Sequence, residues 1–232
     1  MRRAAPVMVA AGALLVLVAG CAEEADPCDD TPELDQVEGE ALPVEVPPSD
    51  VLPGPDPEAV ASAVPALDGF PSVTEQVIVN VRRETLEMAG RIGGLDAGRC
   101  DDVVGRGIGS VTRCTVTYEG VEVVWAVEVT GTPPGMFGGT DVEYATRLES
   151  GVLTAGKVYE QLAWNTQTRL NGLSARCEEL PGLFPAVPGE DTGHRCQDVH
   201  YSCTDGVETY RWEPMSVGVD EEGFVEFGVP GD

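Results

Sequence analysis

The sequence predicts an α+β protein of two tandem units, each with one helix packed on a small antiparallel sheet. Three observations predict this fold class. An apolar stripe with helical spacing begins after Ser72, alternating apolar residues flank the turn Glu119-Gly120, and the same order recurs in the second half of the chain. Since a helix stripe and a half-buried strand each have one apolar face, each must pack on another element.

The first twenty residues have the parts of a secretory signal peptide. A basic start, an apolar run over residues 4–19 and small residues precede Cys21. The tetrapeptide Val18-Ala19-Gly20-Cys21 resembles the bacterial lipobox, which implies that residues 1–20 are removed and that Cys21 carries diacylglyceryl and palmitate chains. The alternative is an uncleaved membrane anchor, against which the proline and glycine within the apolar run argue.

A lipidated Cys21 predicts an extracytoplasmic lipoprotein on the outer face of the cytoplasmic membrane, because two or three acyl chains anchor a protein firmly. The membrane is therefore the first predicted partner. Nucleic acid is excluded as a partner, because 40 acidic against 14 basic residues give a formal charge of −26 that repels a polyanion.

Residues 21–71 are predicted to form an acidic, Pro-rich disordered tether. Residues 22–71 contain 14 acids, ten prolines and no Lys or Arg. Such a segment buries too little apolar surface to offset the entropy of ordering it, and its charges repel one another. We therefore expect an extended stalk between the membrane and the globular part.

Residues 72–150 form the first predicted unit. Ser72 and Glu75 fit a capping box, and a helix is predicted over residues 72–92, ended by Gly93-Gly94. The other predicted elements are strands over residues 113–118, 121–129 and about 141–148, with a turn at Glu119-Gly120.

Residues 151–232 repeat this order as the second predicted unit. Arg99-Cys100 returns as Arg176-Cys177, and Arg113-Cys114 returns as Arg195-Cys196. A helix again lies upstream, and a last strand is predicted over about 224–229. Insertions between matching blocks are typical of a divergent duplication.

Two tryptophans also match between the units. Trp125 and Trp212 each follow a glycine turn in a strand, after Glu119-Gly120 and Asp205-Gly206. We predict that they occupy equivalent positions and pack against the helix of their own unit.

This arrangement of helix, Arg-Cys, Arg-Cys-Thr-Val-Thr, glycine turn and Val-rich strand resembles a small extracytoplasmic domain of unknown function found in many actinobacterial lipoproteins. The resemblance covers residues 72–130. It implies a disulfide between Cys100 and Cys114 that ties the helix end to the first strand. It carries no catalytic residues.

The six cysteines other than Cys21 form an even number outside the cytoplasm, which predicts disulfides. The repeat favours one bridge within each unit and leaves two cysteines for a third bridge. The predicted pairs are Cys100–Cys114, Cys177–Cys196 and Cys28–Cys203, and a competing arrangement pairs Cys177 with Cys203 and Cys28 with Cys196.

Both histidines of the chain lie close to two cysteines. His194, Cys196, His200 and Cys203 fall within ten residues, and such ligands at close spacing can hold zinc or copper. A metal-binding or redox lipoprotein is therefore the alternative function. Against it, an oxidising compartment favours disulfides, and the histidines also suit a surface.

No nucleophile–base motif and no phosphate-binding loop is present, so we expect a non-enzymatic protein without a cofactor. The leading hypothesis is a binding module of the cell envelope, whose partner is an envelope component, a secreted protein or a small ligand. A carboxylate-only enzyme such as a glycosidase remains a further alternative.

The loop at residues 132–139 and the insertion at residues 180–193 are candidate contact surfaces. The short acidic runs, such as Asp220-Glu221-Glu222, predict solvated surface charge.

Overall fold

The computed structural model describes residues 36–105, 107–134, 141–168 and 174–230. Within these ranges the chain forms three helices and two five-stranded antiparallel sheets, so the predicted α+β class is confirmed. The predicted signal peptide, the predicted lipidation site Cys21, and Cys28 lie outside the described residues. No helix in these ranges is both long enough and apolar enough to cross a membrane.

Ten strands and three helices follow one another along the described chain. In order they are β1 (Val44–Val46), α1 (Pro57–Ala63), α2 (Val73–Ala89), β2 (Arg99–Cys100), β3 (Val111–Tyr118), β4 (Val121–Gly131), β5 (Glu143–Leu153), α3 (Ala155–Thr168), β6 (Ala175–Cys177), β7 (Phe184–Ala186), β8 (Arg195–Thr204), β9 (Val207–Val219) and β10 (Val225–Gly228). Sheet I has the order β2-β3-β4-β5-β7, and sheet II has the order β1-β6-β8-β9-β10.

Helix α2 begins as predicted and ends earlier than predicted. The Ser72 hydroxyl accepts the Glu75 N–H, and the Glu75 carboxylate accepts the Ser72 N–H, which completes the capping box. The helix stops at Ala89 because Gly90 adopts a left-handed conformation, with φ 75°, and its N–H closes back onto the Leu86 carbonyl at 3.0 Å.

The two long hairpins confirm the predicted strands and turns. In the first turn Glu119 and Gly120 have φ 48° and 86°, and in the second Asp205 and Gly206 have φ 54° and 76°. Two successive positive φ angles match the right-handed twist of the strands that they join. Strand β4 places Val123, Trp125, Val127 and Val129 in the core, each at most 1% exposed.

Two predicted disulfides are formed. Cys100 lies directly opposite Cys114 in the β2–β3 pair, and Cys177 lies directly opposite Cys196 in the β6–β8 pair. Cys203 is also disulfide-bonded, and its predicted partner Cys28 lies outside the described residues. The competing arrangement that used Cys177 and Cys196 with other partners is wrong.

The predicted disorder of the tether is wrong for residues 44–64. Strand β1 pairs antiparallel with β6, where Val46 lies opposite Ala175, and α1 follows. Val46, Val60 and Val64 are at most 5% exposed. The segment orders although it is polar, because its few valines enter the common core and its backbone covers an otherwise open sheet edge.

Part of the insertion at residues 180–193 is a structural element of sheet I. Its strand β7 pairs with β5, so that Phe184 lies opposite Leu153. Phe184 and Ala186 are buried. A strand from the second half thus completes sheet I, and the predicted boundary between residues 150 and 151 falls inside β5.

The tryptophans do not occupy equivalent positions. Trp125 is buried opposite Cys114 and donates its Nε1–H to the Thr85 hydroxyl of α2 at 3.1 Å, as predicted. Trp212 lies opposite Val199 and is half-buried, with the Arg176 guanidinium 5.9 Å from its ring centre. The predicted equivalence is therefore wrong for Trp212.

One hydrophobic core joins the two sheets. The β9–β10 turn extends from sheet II to β5, where the Leu148 N–H donates to the Glu221 carbonyl at 2.6 Å. Gly223 in this turn has φ 90°, and a Cβ there would lie 3.3 Å from the Trp125 ring. The turn from sheet II is thus packed on the core of sheet I.

Candidate functional site

A cavity of about 520 Å³ lies where the two sheets and the N-terminal segment meet. Its walls come from residues 53–60, α2, β5, the start of α3 and the β9–β10 turn. We call it the junction cavity, and we call residues 47–56, which connect β1 to α1 and form one wall, the strap. Because its walls come from distant parts of the chain, the complete fold is needed to form it.

Lys157 is the only lysine in the chain and lies in this cavity. It belongs to the first turn of α3, where its backbone N–H donates to the Thr154 hydroxyl at 3.1 Å. That hydroxyl donates to the Ala89 carbonyl at 2.7 Å, so a single side chain fixes the start of α3 to the end of α2. The arrangement aligns the lysine stem over Gly90, where a Cβ would lie 2.7 Å from the Lys157 Cβ.

The Lys157 ammonium has little polar compensation for its burial. The residue is 6% exposed, and Nζ donates to the Pro53 carbonyl of the strap at a long 3.4 Å. Burial lowers the pKa of Lys157, although Glu160 and Glu87 act in the opposite direction. In the described part of the chain, no ion pair joins Lys157 to a carboxylate.

Glu84 supplies an incompletely bonded carboxylate to the same cavity. Its Oε1 accepts a hydrogen bond from the Thr146 hydroxyl of β5 at 3.2 Å. Its Oε2 is buried and has no hydrogen-bond partner among the described residues. Burial raises the pKa of Glu84, with a smaller contribution from the nearby charge of Glu87 and opposition from the Thr146 hydrogen bond.

The rest of the lining combines apolar surface with exposed acid. Met88 and Val60 are buried in the wall, whereas Phe224 is 62% exposed. Glu87 and Glu222 are exposed members of the lining. The cavity therefore combines apolar walls with one ammonium and three carboxylates, an arrangement suited to a small molecule that has both charged and apolar parts.

The predicted metal residues do not form a metal centre. Cys196 and Cys203 are in disulfides, so neither supplies a thiolate. His194 Nδ1 contacts Glu178 Oε1 at 2.6 Å, and His200 Nδ1 contacts Glu213 Oε2 at 3.1 Å. Across the described ranges, no three His, Cys, Asp or Glu side chains are grouped to hold a metal ion.

The candidate loop and the acidic run predicted from the sequence do not form a common site in the described residues. Most of the candidate loop at residues 132–139 lies outside the described residues. In the run Asp220-Glu221-Glu222 both glutamates are exposed, as predicted for surface charge, and Glu221 also approaches Arg147 at 3.4 Å while Glu222 borders the junction cavity. Neither Lys157 nor Glu84 is among the site residues predicted from the sequence. A single lysine in a chain whose other basic residues are all arginine was the one available signal.

Comparison with protein-family models, with characterised proteins and with solved structures finds no match for this chain. The resemblance to the actinobacterial extracytoplasmic domain therefore stays a prediction from the sequence.

Proposed function

We propose that the protein is an extracytoplasmic, lipid-anchored binding protein that holds a small ligand in the junction cavity and catalyses no reaction on it. The observation that carries this proposal is the buried Lys157, whose ammonium borders the cavity and makes no ion pair with any described carboxylate. An uncompensated buried charge destabilises a fold, so a lysine kept there suits a site that a ligand completes. The lining contains no serine, cysteine or histidine that could act as a nucleophile–base pair.

A ligand screen with two variants tests the binding site. Small anions, cations, zwitterions and neutral compounds are added to the detergent-solubilised full chain, and the melting temperature is recorded. Lys157→Met keeps the apolar stem and removes the charge. Arg99→Met is the matched control, because it removes a cation whose ion pair with Glu122 is 65% exposed on both sides.

We expect a compound class that raises the melting temperature of the wild type and of Arg99→Met by about 5 °C or more at a hundredfold excess over Kd. The same class should have no effect on Lys157→Met. Equal stabilisation of both variants, or no stabilisation by any class, contradicts the site. Turnover of a ligand contradicts the non-enzymatic part of the proposal.

The membrane anchor is supported by the lipobox-like sequence at Val18-Ala19-Gly20-Cys21. Cys21→Ala should abolish the incorporation of labelled palmitate, because it removes the thiol that would be acylated. Lys157→Met should remain acylated, because it changes the cavity alone. Palmitate labelling of Cys21→Ala at the wild-type level would contradict the anchor.

The tandem duplication belongs to the same proposal. Both sheets contain a short cysteine strand paired with a longer one, then a hairpin with two positive-φ residues and a further strand. This common order supports two copies of one unit. Each sheet has then acquired an edge strand from elsewhere in the chain, β7 for sheet I and β1 for sheet II.

A further inference from the structure

We propose that the ligand of the junction cavity is a small apolar zwitterion, a free amino acid or a short peptide, whose carboxylate binds Lys157 and whose ammonium binds Glu84. This inference rests on the proposed binding function and specifies its ligand class. It is carried by two polar groups that border one cavity: the Lys157 ammonium, which forms no ion pair within the described residues, and the buried Glu84 Oε2, which has no hydrogen-bond donor there.

The anionic end of the ligand is inferred from Lys157. An ammonium has three N–H donors, and one of them reaches the Pro53 carbonyl. The other two have no partner among the described residues. Glu87 and Glu160 lie near enough to act on the ammonium, but both are exposed to water, which screens them. A ligand carboxylate supplies the charge-assisted hydrogen bonds that these groups do not.

The cationic end is inferred from Glu84. The Thr146 hydroxyl occupies Oε1, and the buried Oε2 remains without a donor. A ligand ammonium can donate to Oε2, and the exposed Glu87 and Glu222 in the same lining add favourable charge. A simple anion would leave Oε2 unsatisfied, and a simple cation would leave Lys157 unsatisfied, so only a ligand with both charges compensates the two groups.

The apolar body of the ligand is inferred from the remaining walls. Met88, Val60 and Phe224 provide aliphatic and aromatic surface, and prolines of the strap provide more. A volume of about 520 Å³ lies within the roughly 300–1,000 Å³ of small-molecule sites, enough for an amino acid or a dipeptide. Burial of an aliphatic side chain there adds affinity in proportion to the area removed from water.

Matched probes test the two charged ends separately. Calorimetry on the detergent-solubilised full chain uses L-leucine and leucyl-leucine as zwitterions, 4-methylpentanoate as the anion that lacks the amine, and 3-methylbutylamine as the cation that lacks the carboxylate. The variants are Lys157→Met, Glu84→Gln and the exposed control Arg99→Met. Far-UV circular dichroism and a thermal melt confirm that each variant is folded.

We expect one of the zwitterions to bind at least about tenfold more tightly than either singly charged analogue, because each missing group leaves a buried charge unpaired. Lys157→Met should abolish the advantage of the zwitterion over the amine. Glu84→Gln should abolish its advantage over the carboxylate. Arg99→Met should retain both preferences.

Four results would overturn the inference. Equal binding of the amine and the zwitterion, unaffected by Lys157→Met, identifies a simple cation site. Equal affinity for the carboxylate and the zwitterion, unaffected by Glu84→Gln, identifies a simple anion site. Failure of all four probes, together with Lys157-dependent binding of another class in the screen, rejects the zwitterion and keeps the binding function. Failure of all probes and all classes rejects both.

Discussion

The β3–β4 and β8–β9 hairpins share a turn geometry and a cysteine bridge on their first strand, yet they bury different residues. In the first, Cys114 is four residues before the last residue of β3 and lies opposite Trp125. In the second, Cys196 is eight residues before the last residue of β8 and lies opposite Met215. Matching motifs therefore do not guarantee matching positions.

The difference follows from antiparallel pairing. Lengthening one arm of a hairpin by four residues moves the residue opposite the cysteine four positions along the other arm as well. In the β8–β9 hairpin the residue opposite the cysteine is therefore Met215 and not Trp212. Trp212 lies opposite Val199, near Arg176 at the sheet surface. The comparison shows that the pairing register, and not the order of motifs, decides which tryptophan enters the core.

The largest expected effect separates the two tryptophans. Trp125→Ala should lower the free energy of unfolding by about 3–5 kcal/mol, since it removes a fully buried ring and leaves the Thr85 hydroxyl without its donor. Trp212→Ala should cost less, about 1–2 kcal/mol, because it removes a half-buried ring and one cation–π contact. Urea denaturation followed by circular dichroism measures both. Equal losses would mean that the two hairpins are equivalent after all.

The two cysteine bridges should have nearly equal effects. Their sequence separations are 14 and 19 residues, and loop-closure entropy assigns about 3 kcal/mol to each loop of this size. Replacing the pair Cys100/Cys114 or the pair Cys177/Cys196 by alanine should therefore lower the free energy of unfolding by similar amounts. Denaturation of the two double variants compares them. A much larger loss at one pair would show that the bridges act through local packing.

The contribution of β1 to sheet II can be measured at a single valine. Val46→Ala should lower the free energy of unfolding by about 2 kcal/mol, because it removes buried methyl groups from the strand that covers β6. Val51→Ala, in the strap and 70% exposed, should have almost no effect. Equal small effects would place residues 44–64 outside the cooperative fold.

Local sequence signals predicted the local structure well. The capping box at Ser72, the turn at Glu119-Gly120 and the alternation in β4 each depend on neighbours within a few residues, and each is confirmed. The bridge between Cys177 and Cys196 is also confirmed, and the recurring Arg-Cys blocks predicted it.

The features that the sequence did not predict depend on contacts between distant parts of the chain. Strand β1 orders because it meets β6 more than a hundred residues later, and β7 orders against β5. No local pattern marks either strand, since each is three residues long. The junction cavity is missed for the same reason: Glu84, Thr146 and Lys157 meet only when α2, β5 and α3 are packed.

The smallest expected effect is a pH dependence that arises in the junction cavity. Burial raises the pKa of Glu84 in the folded state, so the folded chain holds this proton to higher pH than the unfolded chain. The free energy of unfolding contributed by Glu84 is therefore highest below its unfolded pKa and falls as pH rises through the interval up to its folded pKa. Glu84→Gln removes this titration while keeping a hydrogen-bonding side chain. Chemical denaturation at a series of pH values from 4 to 8 should show that the wild type loses stability relative to Glu84→Gln as pH rises through that interval. A constant difference across the series would mean that Glu84 is solvated in the folded protein, and the unpaired carboxylate assigned to the ammonium of the ligand would then be absent.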